Sequence, residues 1–316
     1  MNNSVVYRPT RTPAEKLLRW LRKVCASYQL YILILPAMIY LVIDAYAPMY
    51  GVLIAFKKYS TSKGILGSPW VGFQHFERFI SYPDFWNLIW NTVAISLYQF
   101  LLLPLPVIVA LMIHELQREG FKRFIQMVSY APHFLSTVVV CSMILLFTDK
   151  SKGVINELID MLGGTRHDFM TDVRAFRHVY VWSGIWQSLG WDTIIYLSAL
   201  SSVSPELIEA ARIDGADRMQ IIIHINLPSI LPTVIILLIM SCASLLGVGF
   251  DKIYLLQNDL NREVSEVIST YVYSIGINGG QFSYSAAIGL FNSVISLVML
   301  IGVNIISKKV SNISLW

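Results

Sequence analysis

Two stretches constrain this chain more than any other feature. PSILPTVIILLIMSCASLLGVGF (228–250) and YSAAIGLFNSVISLVMLIGVNII (284–306) each run 23 residues without a single Asp, Glu, Lys or Arg. A helix needs about 20 mostly apolar residues to cross a bilayer. In hydrocarbon the backbone must satisfy its own hydrogen bonds, so segments of this kind are helices and not open strands. Four further segments fit the same description, at 29–55, 87–113, 125–148 and 176–200. Only 14% of the 316 residues are charged, against about 25% in soluble domains, and the mean hydropathy is +0.58. A chain this long has no need to economise on charge for lack of core, so much of its surface is expected to face lipid. The expected fold class is an all-α integral membrane protein with six transmembrane helices.

Prolines interrupt several segments: Pro36 and Pro48 in the first, Pro104 and Pro106 in the second. Helices in a membrane bundle tolerate such breaks because neighbours restore the lost bonds. The N-terminus carries Arg8, Arg11, Lys16, Arg19, Arg22 and Lys23 against Glu15 alone. That bias predicts a cytoplasmic N-terminus, and six crossings then place Lys308 and Lys309 inside as well. The first apolar run is long and has no small-residue cleavage site behind it, so it reads as an uncleaved anchor. Within 13–25, Leu17, Leu18, Leu21 and Val24 share one helical face opposite the basic residues, which suggests a short helix on the inner membrane surface. Trp70, Trp86, Trp90, Trp182, Trp186 and Trp191 are read as lying at outer ends, where Trp anchors to the interface. The net charge of +4 is concentrated in the tail and serves topology, not nucleic-acid binding.

Between the fourth and fifth segments lies SPELIEAARIDGADRMQIIIHINLP, residues 204–228. Ser204 with Pro205 marks a helix start, and Gly215 marks a turn. Asp214 or Asp217 suits the cap of a second short helix, Arg218 to Leu227, with Pro228 opening the fifth span. The expected object is two short helices projecting from the membrane. Small residues at 210, 211, 215 and 216 permit close approach by another surface, and periodicity alone leaves a docking element and a plain connector equally open.

The spacing Glu209-Ala210-Ala211, three residues, Gly215, nine residues, Ile225, one residue, Leu227-Pro228 resembles the EAA loop of binding-protein-dependent ABC importer permeases. Asp214 and Ala216 extend the likeness to its DGA form. The stretches YAPMYGVLIAFKKY (46–59), PWVGFQHFERF (69–79), YAPHFLS (130–136), DKIYLLQN (251–258), EVISTYVY (266–273) and the terminal SLW resemble MalFG-type carbohydrate permeases of the LplB-like subgroup. The resemblance implies a type I importer permease of MetI-like fold. It divides the chain into a basic tail at 1–28 and a permease domain at 29–316. Glu209, Ala210, Ala211, Asp214, Gly215, Ala216, Ile225, Leu227 and Pro228 are then the element coupled to an ATPase. It further implies a heterodimer with a second, homologous permease, two ATP-binding subunits, an extracellular and lipid-anchored solute-binding protein, a glycan substrate and a bacterial cell membrane.

No G-x-x-x-x-G-K-[ST] phosphate loop occurs here. ATP and Mg are therefore expected on partner subunits, with no cofactor and no catalytic residues in this chain. The cysteines at 25, 141 and 242 and the scattered histidines show no disulfide or metal spacing. Small and polar residues that suit a translocation path are Ser241, Ser244 and Gly247 on the fifth span and Asn292, Ser293 and Ser296 on the sixth. Ser241 with Ser244, and Asn292 with Ser296, are spaced to share a face. Interhelical packing, where small residues and Ser are common, is the rival and somewhat favoured reading of the same residues. Asp192 and Asp44 are the carboxylates nearest the membrane interior, where charge is expensive and usually functional. The rival classes are an ion-coupled secondary carrier, which lacks its internal repeats here, a membrane enzyme, which lacks convergent acid–base groups, and an importer of a non-sugar solute.

Overall fold

The computed structural model describes residues 26–244 and 246–316. The expected amphipathic helix at 13–25 lies outside the described residues. Twelve helices position everything that follows: α1 (Tyr28–Phe56), α2 (Gln74–Ile80), α3 (Phe85–His114), α4 (Glu119–Phe134), α5 (Thr137–Thr148), α6 (Val154–Met161), α7 (Val173–Leu200), α8 (Pro205–Ile213), α9 (Arg218–Cys242), α10 (Phe250–Leu256), α11 (Ile268–Tyr273) and α12 (Phe282–Ser311). Among the described residues the only extended pairing is an isolated bridge between Lys57 and Trp70.

Four helices, α1, α3, α9 and α12, are long and apolar enough to cross a membrane. A fifth crossing is formed by α4 and α5, which are bent by 99° at their junction. The 28-residue α7 is less apolar but long enough to span, at about 42 Å. Four spans, or five with the bent pair, are compatible with the expected six if α7 also crosses.

The bend corrects the expectation of one straight helix at 125–148. Pro132 lacks a donor, Leu135 and Ser136 are extended, and the Ser136 hydroxyl accepts from the Val139 amide to start a new helix. α4 is amphipathic: Phe121, Phe124 and Val128 form one exposed apolar stripe, with Lys122 and Arg123 off it. α4 packs against α7 at Gly190, where a Cβ would lie 2.4 Å from the Ser129 carbonyl carbon and 2.9 Å from the Tyr130 nitrogen.

Two spans accommodate proline through wide turns. Val42–Tyr46 and Ile222–Asn226 are π-helical, and the Ala47 and Leu227 amides reach back five residues to Val42 and Ile222. Each turn precedes a proline by one residue, Pro48 or Pro228. Loosening the ladder just before a residue that cannot donate keeps the helix running.

Three apolar clusters hold the bundle. One joins α3, α5, α7 and α10 through Ile95, Val140, Phe176, Tyr180 and Ile253. A second joins α3, α7 and α9 through Ala110, Leu197, Leu200 and Ile230. The third sets Phe79 and Phe85 against Tyr271, Tyr284 and Ile288. By contrast, no residue of Tyr28–Met49 is buried, and α1 meets the rest of the chain through its Tyr50–Phe56 end, which packs on α12.

Trp191 departs from the outer-end reading. It lies 18 residues into α7, and its ring stacks on His133 at 4.4 Å beside the α4–α5 bend.

Candidate functional site

The 204–228 segment folds nearly as its residues dictate. α8 begins at Pro205, whose fixed φ suits a first helical position. Ser204 occupies the cap position in extended conformation, but its side chain makes no capping bond. Glu209 and Ala210 are exposed, and Ala211 is half-buried. Gly215 has φ +83°, a conformation that any Cβ would strain, yet a Cβ there would meet nothing within 4 Å. The turn is shaped by backbone conformation and stands open. Asp214 is exposed and Ala216 half-buried beside it.

Of the two capping candidates, Asp217 is the one used. Its carboxylate accepts from the Gln220 amide at 2.7 Å, and the Gln220 side chain accepts from the Asp217 amide at 2.8 Å, a reciprocal capping box. The helix it starts is not short and separate: α9 continues from Arg218 through the π turn and Pro228 into the membrane. The loop therefore holds one free helix, α8, and the projecting start of a span.

The motif's last residues lie differently from its first. Ile225 is half-buried, and Leu227 packs on the α3–α7–α9 cluster, while Pro228 is exposed. Asn226, which the motif spacing passes over, is fully buried. Its Nδ2 donates to Glu115 Oε1 at 3.3 Å, tying the start of α9 to the end of α3. Four large apolar side chains remain uncovered in this segment: Leu207 (56% exposed), Ile213 (86%), Met219 (61%) and Ile223 (48%). A flexible connector gains nothing from exposing them, whereas a docking surface does.

Deeper in the bundle, Ser241, Ser244 and Gly247 line one cavity of about 370 Å³. Ser96, Gln99, Phe100 and Leu103 of α3, Tyr180 of α7, and Val248 and Gly249 complete it. Ser244 reaches this wall by a route other than a shared helical face. α9 has ended, and Ser244 sits in the turn that follows, its hydroxyl donating to the Ser241 carbonyl at 3.1 Å. Gly247 permits that turn, since a Cβ would stand 3.2 Å from the Ser244 oxygen.

The sixth-span candidates divide. Asn292 donates to the Leu246 carbonyl at 3.5 Å, bracing the same turn from behind. Ser296 is half-buried one turn along, whereas Ser293 is exposed and bonds its own helix at Gly289. Asp192 is exposed on α7 next to Trp191 and takes no part in lining the cavity. Asp44 is exposed on α1.

Sequence reasoning passed over Lys252. It is 8% exposed, its Nζ donates to the Tyr180 carbonyl at 3.1 Å, and it lies 5.1 Å from the centre of the Tyr180 ring. Its signal in the sequence was a lone lysine two residues past an apolar span.

Comparison with known proteins follows this geometry. The family described as "Binding-protein-dependent transport system inner membrane component" matches residues 102–312. The chain is 42% identical over 296 residues to the polygalacturonan/rhamnogalacturonan transport system permease protein YteP of Bacillus subtilis strain 168, covering 93% of this chain and 92% of that one. It is 43% identical over 297 residues to protein LplB of the same organism, covering 94% and 93%. A crystal structure of a bacterial ABC transporter for import of the acidic polysaccharide alginate superposes with TM-score 0.86 at 36% identity, over 93% of this chain and 99% of that one. The same importer in complex with an alginate pentasaccharide-bound periplasmic protein gives 0.87 at 36% identity, over 94% and 100%.

Proposed function

Since the chain belongs to the inner membrane components of binding-protein-dependent transport systems, we propose that it is the permease subunit of an ATP-driven importer for oligosaccharides or glycan fragments. The observation that carries this reading is the exposed loop at one end of the bundle: α8, the open Gly215 turn and the uncovered side chains of Leu207, Ile213 and Met219. Glu209, Ala210, Ala211, Asp214, Gly215 and Ala216 form the surface offered to an ATP-binding subunit. Ile225, Leu227 and Pro228 pass its movement into α9. The names of the relatives supply the sugar.

In this reading the N- and C-termini and the 204–228 loop are cytoplasmic, and the 149–172 connection faces outward. The subunit is non-catalytic. Two partner ATPases hold ATP and Mg, a second and homologous permease completes the pathway, and an extracellular lipid-anchored binding protein delivers the sugar. ATP closes the ATPase pair, α8 moves with it, and the pathway changes sides.

The test is Gly215→Arg. The left-handed backbone costs a non-glycine residue about 1–2 kcal/mol, too little to unfold the chain, and the side chain meets nothing in this subunit. Sugar uptake is expected to fall at least tenfold while membrane insertion stays normal. Undiminished uptake sinks the docking assignment.

A further inference from the structure

Resting on the importer reading, we propose that Lys252, with Arg177 above it, makes the pathway selective for acidic sugars, with the two cations attracting uronate carboxylates toward the polar cavity.

Lys252 is more than nine-tenths buried and takes part in no ion pair. Among the described residues the ion pairs are Arg166 with Asp160 and His167 with Asp172, both in the connection before α7. Its Nζ is held by the Tyr180 carbonyl and the face of the Tyr180 ring, which orient the ammonium without neutralising it. An uncompensated charge in a protein interior is costly and persists where it has work to do.

The place of that charge is specific. Gly184 stands opposite it on α7: a Cβ there would lie 3.4 Å from Lys252 Nζ and 4.0 Å from Gln99 Nε2. Gln99 and Tyr180 line the cavity that holds Ser96, Ser241 and Ser244. The ammonium therefore sits directly behind the cavity wall, on the side where that wall is polar. Its field enters a space lined by hydroxyl and amide groups that suit a sugar ring.

Arg177 supplies the second charge. It precedes Gly184 by seven residues, hence nearly the same face of α7 and about 10 Å further toward the 149–172 end. One guanidinium nitrogen donates to Asn91 Oδ1 at 2.7 Å. Asn91 is itself fully buried and committed to the Glu263 and Glu266 carbonyls. Arg177 Nε is buried with no partner. Arg177 on α7 and Lys252, which reaches α7 from α10 at Gly184, both lack an ion-pair partner and form a descending series from the expected outer end to the cavity. A neutral glycan gains nothing from it, whereas a carboxylate in the cavity is attracted by the field of both cations through low-dielectric protein.

The test uses the complete importer, both permeases and both ATPases, in nanodiscs without the binding protein, so that the binding protein's own preference drops out. The probes are radiolabelled trigalacturonate and its carboxyl-reduced trisaccharide, measured by equilibrium dialysis. The wild type is expected to bind the acid at least tenfold tighter. Lys252→Met is expected to abolish that preference while keeping the neutral trisaccharide, and Lys252→Arg to retain it. Arg177→Gln should reduce it several-fold. Equal wild-type binding of both probes overturns the proposal, as does Lys252→Met keeping the preference or losing both probes alike. If Lys252→Met fails to assemble, Lys252→Arg and Arg177→Gln decide: an unchanged preference in Arg177→Gln together with its loss in Lys252→Arg overturns it. Sugar import by the wild type without acid preference defeats this inference alone. Import of a non-sugar solute and no sugar defeats the function itself.

Discussion

At the scale of single residues, the most informative side chain is one the motif treats as a spacer. Asn226 is buried and joins α9 to Glu115 at the end of α3, and its own carbonyl oxygen has no partner. Asn226→Ala would strand Glu115 and open a small void. A loss of about 1–3 kcal/mol in stability is expected, together with weaker coupling, read as ATPase activity that no longer rises with sugar-loaded binding protein. Full coupling in a destabilised variant would reduce Asn226 to a structural tie. Two aspartates outside the spans, Asp149 exposed and Asp172 half-buried, set a pH limit. Backbone amides of Lys152 and Ser151 hold Asp149 below the usual carboxylate range, and the Arg174 amide, then His167, does the same for Asp172. A depressed folded pKa means the stabilisation is complete at neutral pH. It is lost only as pH falls below about 4 and through the folded value. Hydrogen exchange at the first turn of α7 should therefore be flat from pH 7 to 5 after correction for intrinsic rates, and rise below 4.

Elements show most plainly what was legible in the sequence and what was not. The spans at α1, α3, α9 and α12 were legible because each carries a long apolar run with at most one internal charge, Asp44 in α1. The α4–α5 break was not, because the apolar run 125–148 continues across it while the cause is local: Pro132, two extended residues and the Ser136 cap. The separation of α8 from α9 was half legible. Gly215 and Asp217 mark the turn, but Pro228 suggests a new start where the π turn instead carries one helix through. Lys252 escaped because burial in three dimensions leaves no trace in local composition. The α4–α7 contact yields a clean prediction. Gly190→Ala would drive a methyl into the Ser129–Tyr130 backbone, and overpacking of this kind costs about 1–3 kcal/mol. The melting temperature of the purified complex should fall, and Gly289→Ala, where a Cβ meets nothing within 4 Å, should leave it unchanged.

On the scale of the whole molecule, the expected orientation is open to direct mapping. Single cysteines replacing Ile213 and Lys150, both exposed, should react with impermeant maleimide from opposite sides of the membrane, Ile213→Cys from the cytoplasm. Labelling of both from one side would overturn the topology. The first half of α1 buries no residue against the rest of this chain. Leu41, exposed near the middle of α1, should tolerate any apolar residue, whereas Leu41→Arg carries an insertion penalty of about 2.5–3.5 kcal/mol near mid-membrane and should cut the membrane-integrated fraction.

The continuity of α9 sets a mechanical scale for the machine. Its 25 residues make a rod about 37 Å long, with the Asp217 capping box at one end and Ser241 on the cavity wall at the other. A tilt of about 5° at the loop swings the far end through about 3 Å, a stroke on the order of one hydrogen-bond length. Such a lever needs no unfolding to open or close a sugar-sized passage. Its hydrogen-bond ladder is uneven, since both the π turn before Pro228 and Pro232 within the helix interrupt it. Where along that shaft the bending is absorbed decides how much of the stroke reaches the sugar.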